Sequence, residues 1–131
     1  MIGSHPPYAL APTTFRFPAL AALAGRTSLG GHREVVLATY VAARLVHDAL
    51  PERGVSSNVR TERISAARVW LSSLTLPPTV RPAIVKVVEA SAGAPLLAAE
   101  AVRAVLSVTA TLLDARARQE LEHLATALER S

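Results

Sequence analysis

The chain contains no cysteine, which removes disulfides, thiolate metal sites and a cysteine nucleophile together. Aromatic side chains are scarce, at 4%, and there is a single tryptophan, Trp70. Lysine occurs once, at Lys86, against thirteen arginines, and charged residues make up 18% of the chain where about 25% is usual. Clean period-2 alternation of apolar and polar residues is nearly absent, which argues against a sheet. No uncharged apolar run approaches the ~18 residues of a membrane-spanning helix. Residues 18–24, PALAALA, come nearest to a signal core, but the opening MIGSHPP lacks the basic residues such a signal carries. A cytoplasmic address is therefore expected, with no membrane association.

What remains is an apolar half built mainly from Ala, Leu and Val, residues that lose little or modest rotamer freedom on a helix. At 131 residues the chain is long enough for one core. Residues 1–31 read as an irregular N-terminal arm, punctuated by Pro6, Pro7, Pro12, Pro18, Gly25, Gly30 and Gly31, with room for at most one short helix from Pro18. Residues 32–131 read as a single helical-bundle domain. The expected fold is all-α: a four- or five-helix bundle with an irregular Pro-rich N-terminal arm. The mean hydropathy of +0.31 implies more apolar surface than a small monomer readily hides, which points to a homo-oligomer or a larger protein partner.

Periodicity divides the bundle. Residues 33–50 form a helix stopped by Pro51, apolar on most sides, with Ala38 and Ala42 four residues apart to admit a close neighbour. Ser57 or Asn58 is the expected N-cap of the next helix, whose inner stripe is Ile64, Ala67, Leu71 and Leu74 and whose wet side is Thr61, Ser65, Arg68 and Ser72. A shorter helix begins at Thr79 or Arg81, tolerates Pro82 in its first turn and closes at Gly93. From Pro95 onward Val102, Leu106, Leu113, Ala117, Leu121, Leu124 and Leu128 keep one phase, so residues 95–130 read either as one long helix or as two separated by an Asp114 N-cap.

Net charge is +4 overall, and the positive excess sits in residues 1–33 and 53–81. A nucleic-acid reading places Arg53, Arg60, Arg63 and Arg68 on phosphates and stacks Trp70 on a base. The angular spread opposes it, because Arg68 points away from Arg60 and Arg63 and a basic patch must share a face. A lone Trp beside Ala67 and Leu74 is expected to pack in the core, with an Arg stem over its edge.

Other motifs are weaker. GRTSLGGH, residues 25–32, has the glycine spacing of a phosphate loop, but Gly31 and His32 stand where Lys and Ser/Thr are required and no strand precedes it. The four histidines show no pairing at three or four residues, so no helical metal site is built locally; His47 and His123 are expected on solvated faces. Arg44 and Asp48 read as a routine i,i+4 pair. The interval from Arg118 to His123 resembles the Arg/His signature of the HEPN family of helical ribonucleases, in which paired Arg and His side chains at a dimer interface cut RNA. With thirteen Arg, four His and three permitted spacings, about one such match is expected by chance, so no residue role is carried over.

The sequence thus predicts a non-catalytic helix–helix assembly subunit or adaptor that self-associates, with no cofactor and no metal. Its expected interface residues are Val35, Ala38, Ala42, Leu121, Leu124 and Leu128, on the wide apolar faces of the chain. The alternative is a nucleic-acid-associated accessory protein, and a HEPN-like ribonuclease stands third.

Overall fold

The computed structural model describes residues 17–26, 32–50 and 53–131. Among them the chain is all-α, with six helices and no strand: α1 Pro18–Ala24, α2 His32–Asp48, α3 Ser57–Ser72, α4 Arg81–Ala90, α5 Pro95–Thr109 and α6 Ala115–Glu129. The C-terminal segment divides, which gives the five helices of the bundle, and the sixth is α1, a two-turn helix that Pro18 at N1 opens in the stretch read as an arm. Asp114 makes that division: it leaves the helical conformation and its side chain accepts the Ala117 N–H at 2.9 Å. The proline-rich stretch with Tyr8, most of the GRTSLGGH turn and the Pro51 stop lie outside the described residues.

The hub of the bundle is α2, which packs against each of the other five helices. Its mixture of Val, Ala and Leu on all sides is what such a position demands, since a helix surrounded by helices has no face to leave polar. Tyr40, Val36 and Val41 are fully buried there, and Thr39, equally buried, donates its hydroxyl back to the Val35 carbonyl at 2.8 Å. The chain of contacts then runs α3 to α4, α4 to α5, α5 to α6, and α6 back to α1. Phe17, Leu20, Leu23 and Ala24 belong to the same core as the later helices.

Three of the arginines serve helix ends. Arg33 at the start of α2 donates to the Ala24 carbonyl that ends α1, at 3.0 Å. Arg81 at the start of α4 donates to Leu71 at 3.1 Å and also to Leu74, at the end of α3. Arg118 in the first turn of α6 donates to Ala110 at 3.1 Å and Leu113 at 3.3 Å, just beyond α5. In each case a guanidinium at the start of one helix donates to carbonyls at or just beyond the end of its predecessor, near the negative end of that helix dipole. One fork can serve two carbonyls at once, which a lysine does less well.

Local signals set the other boundaries. The N-cap of α3 is Ser56, whose Oγ accepts the Val59 N–H at 3.2 Å, one residue before the expected Ser57. Pro82 and Pro95 fall in the first turns of α4 and α5, where a missing N–H costs nothing. Helix α4 ends with Ser91 as its cap, and Gly93 follows two residues later, its N–H donating to the Ala90 carbonyl. No helix among the described residues is long and apolar enough to cross a membrane.

Candidate functional site

The residues of the nucleic-acid reading are engaged in three different places. Trp70 is 2% exposed and lies in the core, so it cannot stack on a base without leaving it. Arg63 donates to the buried Asp48 carboxylate at 2.6 Å, and Arg53 stands 3.6 Å from the other oxygen of the same group. Arg68 forms a two-point pair with Glu89 of α4, at 2.6 and 2.8 Å. Arg60 is half-buried. Three of the four arginines thus serve carboxylates on two different sides of α3.

The expected interface residues are likewise inside the chain. Val35, Ala38 and Ala42 of α2 and Leu121, Leu124 and Leu128 of α6 are all buried in the chain's own core. On the described surface the large apolar side chains are Val59, Val69, Val85, Leu96, Leu97 and Val108. Three of these, Leu96, Leu97 and Val108, lie on α5.

Two polar features remain. The first surrounds the C-terminal end of α2, where Arg44 donates to the Tyr40 hydroxyl at 2.8 Å and lies over the same ring. His47, expected to be solvated, is only partly exposed and meets the edge of Phe17, the ring centroids 5.7 Å apart at 84°. The cause is α1, which brings Phe17 onto α2. With Asp48 and Arg63 this assembly ties α1, α2 and α3 together.

The second is a groove of about 490 Å³ between α1 and α6. Pro18, Ala19 and Ala22 line one wall, and Arg116, Gln119, Glu120 and His123 line the other. Glu120 is committed to structure: its two carboxylate oxygens accept the N–H groups of Ala19 at 2.8 Å and Leu20 at 2.9 Å. That capping joins residues a hundred positions apart and closes the ring of helices. The polar line itself was readable, since positions 116, 119, 120 and 123 repeat at helical spacing on one face. The short helix from Pro18 was readable too, but not its packing on α6.

The Arg118/His123 pair does not converge. Arg118 turns back to the end of α5, whereas His123 opens into the groove, on the wall it shares with Arg116. Among the described residues no group of three or more His, Asp or Glu is placed to hold a metal ion. Compared with protein-family models, curated proteins and solved structures, the chain finds no match in any of the three.

Proposed function

We propose that the protein is a non-catalytic helical assembly subunit, and that it self-associates through the outer flank of α5. The observation that carries this reading is an apolar strip that no other helix among the described residues covers. Leu97, Ala104 and Val108 are spaced by seven and four residues, which sets them within about 40° of one another around the axis. All three are exposed, Leu97 by 57%, and Leu96 beside them by 61%. Ala104 at the middle of the strip gives a second helix room to approach.

The strip is small beside the ~800 Å² that a stable interface buries on each partner, so association is weak and depends on concentration. Light scattering behind a sizing column, run over a range of loading concentrations, tests this. The expected result is a mass that rises from 13.8 kDa toward an integer multiple. A constant monomer mass contradicts self-association. A peak with high absorbance at 260 nm that resolves only in high salt favours the nucleic-acid alternative instead.

A further inference from the structure

We propose that the groove between α1 and α6 binds a small organic anion through a phosphate or carboxylate group. Its volume of about 490 Å³ lies within the range of small-molecule sites, roughly 300–1,000 Å³.

Arg116, Gln119 and His123 lie at i, i+3 and i+7 on α6, so they point to one side and toward α1. All three are exposed, and none of the three side chains makes a hydrogen bond or ion pair with another described residue. This sets Arg116 apart from Arg33, Arg53, Arg63, Arg68, Arg81, Arg103 and Arg118, each of which is held by a carbonyl or a carboxylate. The only acid among the described residues that line the groove, Glu120, turns its oxygens into the α1 backbone, where two N–H groups offset its charge.

The facing wall decides the rest of the ligand. Pro18, Ala19 and Ala22 present short apolar surface, which suits a compact apolar body behind the anionic group. A neutral molecule would leave Arg116 and His123 without a role. On the groove side of α6 Ala127 and Arg130 follow His123, which adds one cation and not the basic run that a polyanionic strand needs.

The test is a titration of isotope-labelled protein with phenyl phosphate, benzoate and benzyl alcohol, followed by amide chemical shifts. Saturable shifts at Ala19, Ala22, Gln119 and His123 are expected with phenyl phosphate, with benzoate or with both, and not with benzyl alcohol. Whichever anion binds identifies the headgroup. Arg116→Gln, an exposed change between residues of similar helix propensity, should weaken that binding about tenfold while leaving the rest of the spectrum in place. No saturable shift with either anion up to about 20 mM, equal binding by Arg116→Gln, or equal binding of benzyl alcohol would overturn the proposal.

Discussion

Asp48 accepts a 2.6 Å hydrogen bond from Arg63 while only 2% of its side chain is exposed; Arg63 itself is 38% exposed. The acid sits at the last residue of α2, the negative end of the helix, where a carboxylate needs cationic partners. Burial is therefore asymmetric across the pair. Arg63→Met strands a buried carboxylate with weaker support and should cost about 2–3 kcal/mol. Asp48→Asn leaves arginines that can turn to water and should cost about 1 kcal/mol. Urea midpoints of the two variants check the order, and a greater loss for Asp48→Asn would contradict it.

Glu120 holds the first turn of α1 from the far end of the chain, so its removal should be felt there first. Glu120→Ala is expected to lower stability by about 1–2 kcal/mol. It should also speed amide exchange at Ala19 and Leu20 more than in α3 or α4. Asp114→Ala, which removes an ordinary N-cap, should cost about 1 kcal/mol with the faster exchange confined to the start of α6. Uniform protection changes in both variants would remove the local role of these caps.

Trp70 separates the core account from the nucleic-acid account. Trp70→Ala is expected to cost about 3 kcal/mol, because it empties a large buried site. Adding oligonucleotide to the intact protein should leave Trp fluorescence unchanged. A variant of native stability that lost oligonucleotide binding would reverse both expectations. Ala42→Glu, in the packed centre of α2, should unfold the chain rather than release a partner.

Two exposed ion pairs give a pH dependence of known sign. The hydrogen bond from Arg68 holds Glu89 below the ordinary glutamate range, and Arg103 does the same to Glu129. The native state then binds fewer protons than the unfolded one in this region. Stability from both pairs is complete above the unfolded value near 4.5 and is lost as pH falls through the lower folded values. Denaturation midpoints measured from pH 6 to pH 3 should decline less steeply for the Glu89→Gln, Glu129→Gln double variant. High salt should shrink the difference, since both pairs are exposed.

Local signals in the sequence were good guides to the helices. Pro95 and Asp114 mark their own boundaries, and Trp70 falls in the core where its neighbours Ala67 and Leu74 placed it. Partners distant in sequence were not legible. An apolar stripe looks the same whether its neighbour is another helix of the chain or another molecule, so Val35, Ala38, Ala42, Leu121, Leu124 and Leu128 read as an interface and turned out to line the core. Basic charge was ambiguous for the same reason. Arg68 meets Glu89 across 21 residues and Arg103 meets Glu129 across 26, pairings that only the packing of the helices reveals. The groove depends on α1 reaching α6, which no periodicity along either helix announces.

The most direct test of assembly through α5 compares molar mass by light scattering for the native chain and for a Leu97→Lys, Val108→Lys double variant. Both positions are on the surface, so helicity and melting temperature should be retained. The account predicts that the native mass rises with concentration and that the variant stays at 13.8 kDa throughout. A variant that is folded and associates as the native chain does would show that the outer flank of α5 is not the contact.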